Sequence, residues 1–357
     1  MKEVVKLFKL IGNEYSKLFS RKTTQLLLLL LLLATIGLAF FFHLPLFNSS
    51  DSYETVASSS SGTEAAAEEN TMSLEETLHA RTEEAKLNYS QLKAQSDNGT
   101  PVDPSELEDA HNAYLIAQYI EDHQLESSLT FDSYGYPVTD SYLIRTLCQA
   151  PMLVTLLALV MIVVAGGIIA NEFSQGTIKF LLINPVRRGK ILWSKYLCCL
   201  SLLAGLFFLL FGLETLFLGF SYGFSAYGGQ YVQVINGVAT GTPILLYGFQ
   251  QFLLASVNPL LMMTMAFAIS SLFRSSALSI ALGLGGLMGG SIITQILSQL
   301  GVDGGRYLPF SNTNLADIAA GTPYFPNQSL TFAVVTLIVY MVVFLLIAYD
   351  GFTRREV

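Results

Sequence analysis

Residues 148–170 have the sequence CQAPMLVTLLALVMIVVAGGIIA, which contains no charged side chain. A helix of about 20 apolar residues crosses the ~30 Å of hydrocarbon in a bilayer, and a helix satisfies its own backbone hydrogen bonds there. Five further stretches are long and apolar enough for the same role: 23–44, 193–220, 244–272, 276–298 and 329–349. The sequence therefore predicts an all-α, polytopic membrane protein with six transmembrane helices, which we number spans one to six in chain order.

The positive charges predict the orientation of the spans. Of the 19 Lys and Arg residues, 14 fall on one side of the membrane when the six spans are placed in order. They lie before span one, between residues 179 and 195, at Arg274, and at Arg354 and Arg355. Cytoplasmic loops of membrane proteins are enriched in Lys and Arg. We therefore expect both termini in the cytoplasm, with an amphipathic helix over 1–22 and a tail over 350–357.

A polar insertion separates spans one and two. Segment 48–145 contains 19 Asp and Glu but only 4 Lys and Arg, a net charge of −15 that leaves +7 for the rest of the chain. Ser73-Leu74-Glu75-Glu76 and Asp103-Pro104-Ser105-Glu106 are each typical of a helix start, and turn residues lie between them at 96–101. We expect an extracellular helical hairpin over about 73–126. A gate, a docking site for cargo or a partner, and a solvated spacer all remain open as its role.

The chain lacks the sequence motifs of an ATPase or a metalloenzyme. No G-x-x-x-x-G-K-[ST] loop for phosphates occurs, nor any H-E-x-x-H pair of zinc ligands. The four histidines show no convincing metal-ligand spacing. We therefore expect no catalytic residues, no bound metal and no cofactor in this chain.

Two polar residues within the apolar spans are candidates for a transport path, Glu214 and Asn258. A charge inside a span costs roughly 3 kcal/mol, so Glu214 either lines such a path or forms a hydrogen bond with a neighbouring helix. Asn258 precedes Pro259, which lacks the amide hydrogen of a helical residue and should bend span four. Helix shaping and gating both remain open as roles for Asn258.

The connection after span two carries a recognisable pattern. Residues 171–195 have the sequence NEFSQGTIKFLLINPVRRGKILWSK, in which Gly-Thr and then Pro interrupt two helical segments and basic residues follow. This stretch resembles the signature of the type-2 ABC exporter permease family, which runs Glu, Gly-Thr, a Leu-rich segment, Pro-Val, a basic residue, Ile-Leu and Lys.

Three other segments resemble the same family. FKLIGNEYSKLFSRK at 8–22 is similar to its amphipathic N-terminal helix, and SSLFRSSA at 270–277 is similar to its connection between spans four and five. FTRRE at 352–356 is similar to its basic C-terminus, although Glu356 stands where Asp is more usual. The resemblance covers most of the chain apart from the insertion 48–145.

This resemblance implies a permease whose segment after span two is a coupling helix, seated in a groove of a separate ATPase subunit. The segment is 171–192, and the coupling residues that it implies are Glu172, Gly176, Thr177, Pro185, Arg187 and Arg188. A basic membrane anchor with a proline turn is the alternative interpretation of the same residues. By resemblance, segment 299–328 would dip back into the outer leaflet.

The resemblance also implies partners and a location. The expected partners are ABC ATPase subunits, which would bind ATP and Mg, a second permease copy or a paralogue, and membrane lipid, but no nucleic acid. The expected location is the plasma membrane of a bacterium, and the expected cargo is a peptide, an antibiotic or a lipid-like molecule. In a different class, the chain could be a membrane sensor or immunity protein whose outer hairpin binds a ligand without transport.

Overall fold

The computed structural model has two compact units. The first unit comprises 1–38, 150–214 and 250–357, and the second comprises 39–149 and 215–249. The sequence predicts only the insertion 48–145 as a separate domain, whereas the structure places the connection between spans three and four in the same unit. The structure describes residues 2–43, 73–99, 101–126, 128–131, 137–139, 147, 151–176, 187–235 and 237–354.

Helices make up most of the described residues. Five helical stretches are long and apolar enough to cross a membrane, and an N-terminal pair bent by 76° between Phe19 and Lys22 is a sixth candidate. The predicted helical fold class is confirmed, and five to six of the helices could span a membrane, against the six spans predicted. In chain order the helices are α1 Lys2–Phe19, α2 Lys22–His43, α3 Leu74–Asp97, α4 Pro104–Asp122, α5 Pro151–Ser174, α6 Arg188–Tyr222, α7 Ile244–Ala255, α8 Val257–Phe273, α9 Ser276–Gln299, α10 Leu315–Ala319 and α11 Leu330–Thr353.

Span four is interrupted close to the predicted bend. Helix α7 ends at Ala255, and α8 begins at Val257. Pro259 has no backbone N–H, so it cannot donate to the carbonyl of Ala255 four residues earlier. The missing bond explains why the regular helix is interrupted on the N-terminal side of the proline.

Helix α8 lies at the centre of the first unit, where it packs against α5, α9 and α11. Small residues allow the close approach. Ser270 Oγ of α8 donates to the carbonyl of Gly166 in α5 (2.7 Å). A Cβ added at Gly283 of α9 would lie 2.6 Å from a side-chain carbon of Ile162 in α5. Glycine and serine at such contacts are typical of helix pairs in membranes.

A polar, irregular segment connects α9 to α11. It contains short 3₁₀ turns at Asp303–Tyr307 and Phe310–Asn312, followed by α10. Asn312 is fully buried; its Nδ2 donates to the carbonyls of Arg306 and Leu308 (both 2.8 Å), and its Oδ1 accepts from Gln328 Nε2 (2.9 Å). The amide side chains thus satisfy backbone groups that have no regular helix to pair them.

Two glycines of α9 make room for the ring of Phe310. A Cβ at Gly290 would lie 2.4 Å from Phe310 Cγ, and a Cβ at Gly286 would lie 3.2 Å from the same ring. A Cβ at Gly289, one position earlier than Gly290, would meet nothing within 4 Å. Close packing against Phe310 therefore depends on particular glycines of the run and not on all of them.

In the second unit, α3 and α4 lie antiparallel. His79 Nδ1 lies 2.9 Å from Glu121 Oε1, and the rings of Tyr89 and Tyr114 stack with centroids 6.4 Å apart. Residues early in α3 therefore meet residues late in α4. The caps follow the sequence signals: Ser73 and Glu76 form the reciprocal capping box, and Asp103 accepts from the amide of Ser105 (3.0 Å).

The second unit also contains a small sheet that the sequence analysis did not predict. Its strands are β1 Ser128–Phe131, β2 Pro137–Val138, β3 Gln230–Ile235 and β4 Val238–Pro243, in the order β2-β1-β3-β4. Strand β1 runs parallel to β3, and the other two pairs are antiparallel. Tyr119 of α4 donates to Gln230 Oε1 of β3 (3.3 Å), so the sheet and the helix pair pack into one unit.

Candidate functional site

Four charged side chains in the first unit form an ion cluster: Glu14 and Lys17 of α1, Glu172 of α5 and Lys195 of α6. Lys195 Nζ lies 2.7 Å from Glu14 Oε2 and 2.8 Å from Glu172 Oε1. Lys17 Nζ lies 3.1 Å from the same Glu172 oxygen and 3.5 Å from Glu14 Oε1. Each lysine therefore contacts both glutamates, and the four formal charges cancel.

Three members of the ion cluster are removed from solvent. Lys195 is 0% exposed, Glu172 is 3% exposed and Glu14 is 5% exposed, whereas the side chain of Lys17 is 39% exposed. Removing a charged group from water costs several kcal/mol, which only close opposite charges and hydrogen bonds offset. The cluster is thus an arrangement in which loss of one partner leaves buried charge uncompensated.

The local sequence explains how these residues meet. Glu14 and Lys17 are one turn apart on α1, so they project on the same side of that helix. Leu18, next to Lys17, is also buried, and Tyr15 donates to Ser201 Oγ of α6 (2.8 Å). Glu172 lies in the last turn of α5, and Lys195 lies two turns after the start of α6. The cluster therefore fastens α1 to the adjacent ends of spans two and three.

A cation–π contact lies next to the ion cluster in sequence. The guanidinium of Arg274 lies 4.4 Å from the ring centroid of Phe173, and Phe352 packs edge-on against the same ring with centroids 6.5 Å apart. Arg274 follows α8 with a φ of +54°, which ends that helix in the left-handed region. One end of spans two, four and six is thus brought together around Phe173.

The coupling residues implied by resemblance lie along the same end of the first unit. Glu172 belongs to the ion cluster. Gly176 has a φ of +67° two residues after α5 ends, a conformation that favours glycine and stops the helix. Arg187 is exposed, and Arg188 is the first residue of α6. Thr177 and Pro185 lie outside the described residues.

Of the two polar candidates inside the spans, Glu214 is buried and Asn258 is half-buried. Glu214 of α6 is 7% exposed. Within the described part of the chain, its Oε2 and the Oδ1 of Asn258 are buried without a hydrogen-bond partner. Each oxygen is therefore an acceptor that the described residues leave unsatisfied, which is uncommon for buried polar groups.

Comparison with known proteins gives a family. The family model described as "Protein of unknown function (DUF2705)" matches residues 113–357, more than half of the chain. The chain belongs to this family. Glu172 and Lys195 lie within the matched DUF2705 region, whereas Glu14 and Lys17 precede it.

Two relatives come from Bacillus subtilis (strain 168). The chain is 28% identical to "Uncharacterized protein YhcI" over 98% of its own length and 99% of that protein. It is 30% identical to "Uncharacterized membrane protein YdbK" over 61% of its own length and 85% of that protein. No solved structure matches the chain. The description of a relative as a membrane protein agrees with the apolar helices and indicates that this DUF2705 protein is a multi-pass membrane protein.

The ion cluster gives this DUF2705 protein a structural link between α1, α5 and α6. Within the described ranges, no group of three or more His, Cys, Asp or Glu is placed to hold a metal ion. The sequence singles out Glu172 but not the other three members of the cluster, because the cluster joins residues far apart along the chain: Glu14 and Lys195 are 181 residues apart. One signal was available: Glu14 stands four residues from both Leu10 and Leu18, and so lies on the apolar stripe of α1, where an unpaired charge would be costly.

Proposed function

We propose that this chain is the permease subunit of an ABC exporter. Its six spans form the path for cargo, and a separate ATPase subunit supplies the energy. The support from sequence is the resemblance of residues 171–195 to the coupling signature of that family, together with three shorter matches in the same order. The support from structure is the ion cluster.

The ion cluster is the observation on which the proposal depends. The expected coupling segment lies between the end of α5 and the start of α6, and both flanks are tied to α1 through Glu172 and Lys195. A force on that segment would therefore move α1, α5 and α6 together, because bending one flank alone would separate buried charges. A rigid connection of this kind is what a coupling helix needs in order to pass an ATPase movement to the spans.

The proposal assigns sides of the membrane. The ion cluster, Arg187 and both termini face the cytoplasm, the insertion 48–145 lies outside, and the membrane is the plasma membrane of a bacterium. Cysteine labelling of intact cells tests this, in a background without Cys148, Cys198 and Cys199. An impermeant reagent should label a cysteine at position 97 and should not label one at position 187. The reverse pattern would contradict the assigned topology.

Coupling is tested by reversing the charges that flank the expected groove contact. Arg187→Glu/Arg188→Glu should lower co-purification of an ATPase subunit and lower transport-linked hydrolysis, because an acidic surface on the partner would then be repelled. Membrane insertion should survive, since Lys179, Lys190 and Lys195 remain on the same side. Arg354→Glu is the matched control, because it reverses an exposed charge assigned to the same side and should leave both measurements unchanged.

The outcomes separate the alternatives. A double variant that binds the ATPase and supports hydrolysis as well as the wild type would make the two arginines membrane anchors and place the coupling contact elsewhere. A wild-type protein that co-purifies with no ATPase would contradict the permease proposal itself. That result would favour a membrane sensor or immunity protein, whose outer hairpin binds a ligand without transport.

A further inference from the structure

Glu214 lies on the buried side of α6, in contrast to its neighbours on the other side. Its residue exposure is 7%, and Leu210 one turn earlier is 0% exposed. Phe208 is 63% exposed and Leu216 is 52% exposed, so the opposite side of the same helix faces outward. The sequence thus places a carboxyl group among buried positions where an apolar residue would have sufficed.

No cation of the described chain compensates Glu214. Its Oε2 is buried without a hydrogen-bond partner, and no ion pair involves it within the ranges that the structure describes. The contrast with Glu14 and Glu172 is direct, because those two buried carboxylates each contact two lysines. An intramembrane carboxyl group that the fold leaves unpaired is a candidate binding group for an external partner.

Two aromatic residues share the side of α6 that carries this carboxyl group. Phe207 and Phe211 precede Glu214 by seven and three residues, which places all three on one side of α6. Phe252 of α7 packs against both rings, with centroids 5.0 Å from Phe207 and 5.6 Å from Phe211. A carboxylate on the same helix side as a group of aromatic rings is a combination that suits organic cations, because a ring face attracts positive charge and the carboxylate neutralises it.

We propose that Glu214, with the ring group Phe207, Phe211 and Phe252, binds the positive end of an amphipathic organic cation. A substituted ammonium group fits this chemistry, whether it belongs to a free cargo molecule or to the headgroup of a lipid. Glu214 follows Arg188 by 26 residues, or about 39 Å of helix, so the site lies toward the end of span three that is opposite the ion cluster. As an assignment of cargo class, the inference rests on the proposed permease function.

Binding of tetraphenylphosphonium to the purified full-length chain tests the inference. The probe is a permanent cation with four aromatic rings, and equilibrium dialysis in neutral detergent micelles measures its affinity without an ATPase. We expect saturable binding by the wild type, a loss of at least tenfold in affinity for Glu214→Gln, and a smaller loss for Phe252→Leu. Glu214→Asp should retain part of the affinity, since it keeps the charge.

Asp350→Asn is the matched control. Asp350 is an exposed carboxylate that pairs with Arg354 (2.7 Å), so its loss should leave probe binding unchanged, and gel filtration should show the same profile for every variant. Failure of the wild type to bind the probe, or equal binding by Glu214→Gln, would overturn the inference. Because the assay contains no ATPase, either result would leave the co-purification test of the permease proposal unaffected.

A further arm distinguishes the two sources of the cation. Phosphatidylethanolamine is added to the micelles, and a diacylglycerol with the same acyl chains serves as the control. Competition by phosphatidylethanolamine alone supports the site as one for lipid ammonium groups. Unchanged binding of tetraphenylphosphonium in the presence of either lipid supports a site for free cationic cargo.

Discussion

Removing Lys195 should cost more stability than almost any other single change to a charged residue of this chain. The substitution Lys195→Met keeps the length of the side chain and its apolar stem but removes the charge that contacts Glu14 and Glu172 at 2.7 and 2.8 Å. Both carboxylates remain nearly inaccessible to water. Lys17 alone then faces two negative charges, and its own side chain is 39% exposed.

Breaking a buried ion pair by removing one partner costs about 3–5 kcal/mol. We expect a loss of this size for Lys195→Met. The control is Asp350→Asn, which breaks a pair whose side chains are 59% and 82% exposed and should cost below about 1 kcal/mol. A triple variant that adds Glu14→Gln and Glu172→Gln should recover much of the loss, because no buried carboxylate would then lack a counter-charge.

The free energy of unfolding can be measured by titrating sodium dodecyl sulfate into mixed micelles. Trp193 is the single tryptophan and lies two residues before Lys195, so its fluorescence reports unfolding of this region directly. A Lys195→Met protein whose stability lies within about 1 kcal/mol of the wild type would refute the reasoning. Such a result would mean that water reaches the carboxylates, or that the cluster contributes little to holding α1 in place.

Two further predictions concern α9 and the second unit. Gly290→Ala should destabilise the chain by about 1–3 kcal/mol, because the new Cβ would overlap Phe310. Gly289→Ala places its Cβ in open space and should be neutral or slightly stabilising. Thermal unfolding in detergent compares the two variants, and equal stability would contradict the packing of Phe310 against Gly290. Hydrogen bonds from Thr82, and to a smaller extent from His79, hold the pKa of Glu121 below its usual value of 4.5. The stability that Glu121 adds to the contact of α3 with α4 is therefore present above about pH 4.5 and is lost as the pH falls through the lowered pKa. Hydrogen-exchange protection of α3 at pH 7 and at about pH 3.5 measures this loss. The loss should be smaller in Glu121→Gln, and an unchanged pH dependence in that variant would mean that other groups cause it.

The sequence predicted those parts of the fold that depend on local chemistry. Span lengths follow from the thickness of hydrocarbon, and the capping box at Ser73 and the interruption before Pro259 follow from backbone hydrogen bonding within a few residues. The expected helix ends therefore differ from the observed ones by only a few positions in most spans. Helix α6 is the exception, because it extends from Arg188 to Tyr222, beyond both limits of the predicted span 193–220.

The sheet and the ion cluster depend on contacts between distant segments. Strands β3 and β4 had a local signal, since Asn236-Gly237 separates two runs rich in Val, Ile and Thr and is typical of a hairpin turn. The pairing of β1 with β3 brings residue 128 to residue 230, and no local pattern indicates it. Likewise, sequence chemistry marked Glu172 as notable, but which lysines would compensate it depends on how three helices pack.

The ion cluster also has a consequence for biosynthesis. Glu14 emerges from the ribosome 181 residues before Lys195, and at about 5–20 residues per second this interval lasts about 10–40 s. During that time the only member of the cluster that can offset the charge of Glu14 is Lys17 of the same helix, which lies 3.5 Å away in the folded protein. Because α1 is amphipathic, it can lie at the lipid headgroups during this interval, where water can still solvate Glu14. Docking of α1 is therefore a late step of assembly, and it can only follow the synthesis of span three.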